Sequence, residues 1–170
     1  SRNLGKMSPS FKLVRKELDE INNLKTYSLP IMLLSSSLST ASFSVVFGGN
    51  INDFICCLIT GGLVQLIIHF VAKYQLGDFF INIVGGAVSA LLGWFLVYLN
   101  LGQNLIVITL SSLMLLVPGM LLTNALRDIA AGDLVSGVSR VTEAICIACA
   151  LACGAALVYS LGIYLGGIVF

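Results

Sequence analysis

The residues able to do chemistry concentrate between Pro118 and Glu143. Pro118 removes a helix hydrogen bond and Gly119 tolerates the resulting bend, which predicts a helix broken at this point. Beyond it come Thr123 and then Asn124, Arg127 and Asp128, the last three placed on one helical face by their spacing of three and four. Gly132 fits a helix stop, and Asp133 fits an N-cap for the next helix. In that helix Ser136, Arg140 and Glu143 repeat the same spacing. Two neighbouring helices thus each offer a polar residue, an Arg and a carboxylate to a shared space. Such a set suits a small zwitterion or carboxylic acid. Free N–H groups at the break and an Arg would hold a carboxylate, while Asp128 or Glu143 would hold an ammonium group or carry a proton.

Depth decides between this account and a plainer one, in which the same residues form an interfacial loop with local ion pairs. At about 1.5 Å per residue, residues 105–122 cover roughly 27 Å, which sets Thr123 to Asp133 at one membrane face. Residues 144–170 exceed a single crossing, so Arg140 and Glu143 fit that face as well. The Pro-Gly break and any tilt would draw the cluster inward. Both accounts stay open on the sequence.

The elements that must position these residues follow from composition. The chain has 170 residues, 58% hydrophobic and 10% charged, with a mean hydropathy of +1.01. Soluble domains carry about 25% charged residues, so these figures specify an all-α integral membrane protein. A net charge of +1 and one His exclude a basic surface for nucleic acid. Polar breaks divide the sequence into apolar stretches over 28–48, 54–73, 78–98, 104–122 and 138–165, each near the ~20 residues a crossing needs. This predicts five transmembrane helices, with the fourth one broken, in a domain over 27–170. Residues 1–26 form a separate cytoplasmic lead-in. There Ser8-Pro9 reads as a helix start, and Phe11, Val14, Leu18 and Ile21 give a short amphipathic helix over 9–25. Without a starting Met or an apolar signal segment, that N-terminus is expected to be a cut from something longer.

Placing the N-terminus inside and the C-terminus outside puts all nine Lys and Arg on the cytoplasmic side, while the loops 49–53 and 99–103 have none. An odd number of spans also implies a partner. Two five-helix units joined in sequence would lie in opposite orientations, as in many inverted-repeat transporters, so a second five-helix subunit or a homo-oligomer is expected.

Small residues recur at four-residue steps: Ser36, Thr40, Ser44 and Gly48 in the first span, Gly85, Ser89 and Gly93 in the third. Close packing explains them, although the hydroxyl run Ser35-Ser36-Ser37 with Ser39 would also line a substrate path. Cys56, Cys57, Cys146, Cys149 and Cys153 fall within apolar spans and read as small packing residues. Neither they nor the lone His form a metal set, and no cofactor is expected. Motifs of metalloproteases and serine hydrolases are absent, so the chain is not expected to be an enzyme. Gln65, His69 and Lys73 line one face near the inner end of the second span, suiting a snorkelling set or a proton relay. Asn82 would bridge helices or touch substrate, and Asp53 is expected to N-cap the second span.

Gly48-Gly49 with Asp53, Asn82 after Phe79-Phe80, and above all Pro118-Gly119 through Thr123-Asn124, Arg127-Asp128, Gly132-Asp133, Ser136-Gly137, Arg140 and Glu143-Ala144 resemble the bacterial threonine/serine exporter family. The resemblance is to the membrane part of that family's larger component, which works with a smaller five-helix component. It implies export of small amino acids or small carboxylates across the bacterial inner membrane, with the proton gradient as energy source and lipid as surroundings. It assigns substrate or proton roles to Thr123, Asn124, Arg127, Asp128, Asp133, Arg140 and Glu143. The alternative is a non-transporting scaffold subunit of a larger complex.

Overall fold

The computed structural model describes residues 28–74 and 77–164. The expected lead-in helix over 9–25 lies outside the described residues, as does Gly166 of the GxxxG pair Gly162/Gly166. All regular structure among the described residues is helical: α1 Leu29–Val46, α2 Ile51–Ala72, α3 Asp78–Tyr98, α4 Leu105–Met114, α5 Gly119–Ala130 and α6 Leu134–Tyr164. Four of these are long and apolar enough to cross a bilayer. The pair α4 and α5, bent by 56°, is apolar enough taken together, giving up to five crossings when it is counted as one span. The break falls at Leu115 to Pro118, as the Pro-Gly dipeptide predicts.

Three of the turns share one device. Gly48 (φ +77), Asn100 (φ +58) and Gly132 (φ +88) adopt the left-handed conformation just past the ends of α1, α3 and α5. The next N–H then reaches back to close the helix, from Gly49 to the Ser44 carbonyl (2.8 Å), Leu101 to Leu96 (3.1 Å) and Asp133 to Asp128 (3.0 Å). These closures satisfy carbonyls that hydrocarbon would otherwise strand.

Missing side chains set the packing. A Cβ on Gly61 would meet the Thr40 hydroxyl and the Ser36 carbonyl, so α1 and α2 touch along a buried seam of Ser36, Thr40 and Ser44. Gly86 abuts the Leu151 carbonyl, and Gly154 abuts the Ile83 carbonyl and the Ala87 N–H, so α3 and α6 cross backbone to backbone. Gly93 makes room for Thr109 of α4, whose hydroxyl accepts a 2.7 Å hydrogen bond from Tyr159 of α6. The expected packing stripes are thus seams, except at Gly48, where a Cβ would meet nothing within 4 Å and the turn conformation explains the glycine. Cys56 and Cys57 are buried beside Ala41, Leu96 and Ile108, as packing residues should be. Cys146, Cys149 and Cys153 are exposed on α6, which corrects the packing role expected for them.

The seams fix helix directions. With α1 and α3 pointing one way, α2 and α4 return, and α6 runs with α3, since its Tyr159 reaches the Gly93 end of α3. One end of the bundle therefore holds the loops 47–50 and 99–104, and the other holds Lys73, Arg127 and Arg140. By the positive-inside rule this second end faces the cytoplasm.

At the outer end, Asp53 differs from its expected role. Asn50 is the N-cap of α2 and Asp53 lies three residues in, accepting a hydrogen bond from the Asn50 N–H at 3.1 Å. It also accepts from the N–H of Gln103 (2.7 Å), the N–H of Asn104 (3.1 Å) and the Asn104 side chain (3.4 Å). Asn50 completes the clasp by donating to Gln103 Oε1 at 2.8 Å. A carboxylate with four donors tolerates full burial, so Asp53 ties the two outer loops together rather than only starting a helix.

Candidate functional site: a charged inner hairpin and a hydroxyl-lined cleft

Helices α5 and α6 form a hairpin through Gly132. Gly137 lets it close, because a Cβ there would meet Ile129 and the Ala125 carbonyl. Asp133 caps α6 as its position predicts, accepting from the Ser136 hydroxyl at 2.8 Å and the Ser136 N–H at 3.2 Å. These bonds hold its carboxyl below the usual carboxylate value. Across the hairpin Arg140 reaches Asp128 Oδ2 at 2.8 Å, a close but off-axis ion pair.

The structure therefore brings together Asp128 with Arg140 and Asp133 with Ser136, and spreads the other candidates. Thr123 donates its hydroxyl to the Gly119 carbonyl at 2.8 Å, and Asn82 donates to the Asp78 carbonyl at 2.8 Å, each within its own helix. Asn124 is half-buried; Arg127 and Glu143 are exposed and, among the described residues, carry no ion pair.

Depth follows from the crossing of α3 and α6. Leu151 and Gly154 lie level with Ile83 to Ala87, so at 1.5 Å per residue Arg140 sits roughly 8 Å nearer the inner end than Asp78, the first residue of α3. The charged set belongs to the inner rim of the bundle. Side chains there are 44% exposed at Arg140 and 28% at Asp128, and an ion pair so wetted contributes about 1 kcal/mol or less. Arg140→Ala is expected to lower thermal stability only slightly. The exchange Asp128→Arg with Arg140→Asp should restore what either single change loses, as read by unfolding of the purified protein in detergent.

A second polar feature lies deeper. Met32, Ser35, Ser36 and Ser39 of α1, Gln65 of α2, and Leu115 at the break between α4 and α5 line a cleft of about 180 Å³. Gln65 lies seven residues before the inner end of α2, and Met32 to Ser39 lie within ten residues of the inner end of α1, so the cleft sits in the inner half of the bundle, about 10 Å from that end. Ser35 and Ser36 return their hydroxyls to the Met32 carbonyl at 3.0 and 2.8 Å. Ser39 and Gln65 have no hydrogen-bond partner among the described residues. The sequence showed the hydroxyl run and Gln65 separately but not their meeting. The signal for it is Gly61-Gly62, one turn before Gln65, where two missing side chains draw α1 onto α2. His69 and Lys73 continue toward the inner end, with Lys73 Nζ 5.2 Å from the centre of the Phe70 ring. His69 is half-buried, its ring centre 6.3 Å from that of Phe70.

No curated protein and no solved structure matches the chain. The family model for threonine/serine exporters (ThrE) matches residues 1–162, nearly its whole length and including the broken span, the inner hairpin and the cleft. The chain is a multi-pass membrane protein of the threonine/serine exporter family.

Proposed function

We propose that the protein exports threonine, serine and similar small hydroxy amino acids from the cytoplasm of a bacterium, in exchange for protons, as one unit of a larger transporter. The observation that carries this reading is the break between α4 and α5 within a family of exporters: the two helices part by 56° across Leu115 to Pro118. A broken span is where transporters place solutes, because only there does a membrane helix free backbone groups for a ligand.

In this reading the inner rim receives substrate. Arg127 and Glu143 offer opposite charges to a zwitterion arriving from the cytoplasm, with Asn124 beside them. The Asp128 and Arg140 pair bridges the hairpin that carries them, Gly137 lets it close, and Asp133 and Thr123 secure its helices. Asn82 steadies the first turn of α3. A second unit, either another five-helix chain or a second copy, would cover the bundle's outer faces. Between 22% and 33% of the residues in the four long spans are buried within this chain, which leaves wide surface for lipid and other helices.

Everted membrane vesicles containing the protein test the reading. An acidic lumen should drive uptake of labelled L-threonine, and an uncoupler should abolish it. Uptake that ignores the gradient would remove proton exchange. Uptake by the second unit alone would favour a scaffold role.

A further inference from the structure

We infer that the cleft between α1, α2 and the break, in the inner half of the bundle, is the subsite that recognises the substrate's side-chain hydroxyl, with Gln65 and Ser39 as its specificity-determining residues. The inference rests on the exporter reading above. Three observations lead to it. The first is chemical: Gln65 is half-buried and Ser39 is exposed on α1 beside it, so in an apolar span both need polar partners that hydrocarbon does not supply. Gln65 and Ser39 have none within the described protein, whereas Ser35 and Ser36 satisfy themselves on the Met32 carbonyl.

The second observation is size. A cleft of about 180 Å³ has room for a group as small as the side chain of threonine or serine together with water. The third is position. Leu115, which closes the cleft on one side, is the first residue beyond α4, so the cavity opens against the one place where the crossing chain is interrupted. The cleft has no charged residue in its wall. It can therefore recognise a neutral polar side chain but not the carboxylate or ammonium group, which must be held elsewhere. Met32 and Leu115 supply apolar contact for a methyl group such as threonine's.

A wall that hydrogen-bonds a hydroxyl rejects the analogue that lacks it, because the wall groups are then left unpaired. L-2-Aminobutyrate is threonine with its hydroxyl removed. The full-length protein, reconstituted in liposomes as purified from its native membrane, should exchange labelled L-threonine and prefer it over L-2-aminobutyrate by about tenfold. Gln65→Leu and Ser39→Ala should each bring that preference close to one, slowing threonine exchange and quickening 2-aminobutyrate exchange because the substituted wall group is then no longer left unpaired. Ser39→Thr, which keeps the hydroxyl, should retain the preference. Thermal unfolding of each variant shows that the bundle is intact. If threonine exchange persists and neither variant changes the preference, the cleft is not the subsite, and the exporter reading stands without it. If Gln65→Leu instead strips a copurifying subunit from the protein with the preference unchanged, the cleft is a helix-docking groove and the inference fails. Absence of any amino-acid exchange by the unsubstituted protein would overturn the exporter reading, and this inference with it.

Discussion

Asp53→Ala is expected to destabilise the protein by about 3 kcal/mol or more, the largest effect of any single substitution considered, with a matching fall in the midpoint of thermal unfolding in detergent. The Asp53 carboxylate is fully buried and accepts from Asn50, Gln103 and Asn104, with three backbone N–H groups and one side-chain amide as donors. Removing it leaves four donors without their acceptor, and hydrogen bonds to a charged acceptor contribute about 1.5–3 kcal/mol each. Asp53→Asn should lie between, since one oxygen still accepts while the new NH₂ faces a donor. The loss should be local at first. Hydrogen exchange should quicken at Gln103 and Asn104 before it quickens in the middle of α3, because the clasp joins the outer loops and not the interior.

The second large effect belongs to the crossing of α3 and α6. Gly154→Ala and Gly86→Ala each put a methyl group against backbone: the Ile83 carbonyl and Ala87 N–H in one case, the Leu151 carbonyl in the other. Backbone cannot rotate aside as a side chain would, so the helices must separate, at a cost of about 1–3 kcal/mol for each change. Once one methyl group has forced the gap, the second meets less resistance. The double variant should therefore lose less stability than the two single losses added together, which a double-mutant cycle in thermal unfolding would show. At Gly119 a Cβ would meet nothing within 4 Å, so Gly119→Ala should leave packing unchanged and serves as the control.

Much of this architecture was legible in the chain because hydrocarbon imposes strong rules. Span lengths and the short loops matched the four long apolar helices and the bent pair, and Pro118-Gly119 marked the break in that pair. Local chemistry was equally readable at Gly132 and Asp133, where a left-handed helix stop and a side-chain cap depend only on near neighbours. What sequence spacing could not convey was which faces meet. Arg127 and Asp128 are adjacent in the chain, yet Asp128 turns to Arg140 and Arg127 stays exposed, because Gly137 sets the angle between α5 and α6. The partners of Asp53 lie fifty residues away in a loop whose composition alone suggests only a turn. The cleft was hidden for the same reason: Ser39 and Gln65 belong to different spans, brought together by the glycines at 61 and 62.

That this bundle moves small hydroxy amino acids is tested by threonine counterflow. Liposomes holding the purified full-length protein with its copurifying unit are loaded with unlabelled L-threonine and diluted into a trace of labelled L-threonine. Label should accumulate transiently above the equilibrium level, and serine inside the liposomes should drive the same overshoot where a large apolar amino acid does not. Label that only equilibrates at the rate of protein-free liposomes would contradict such transport.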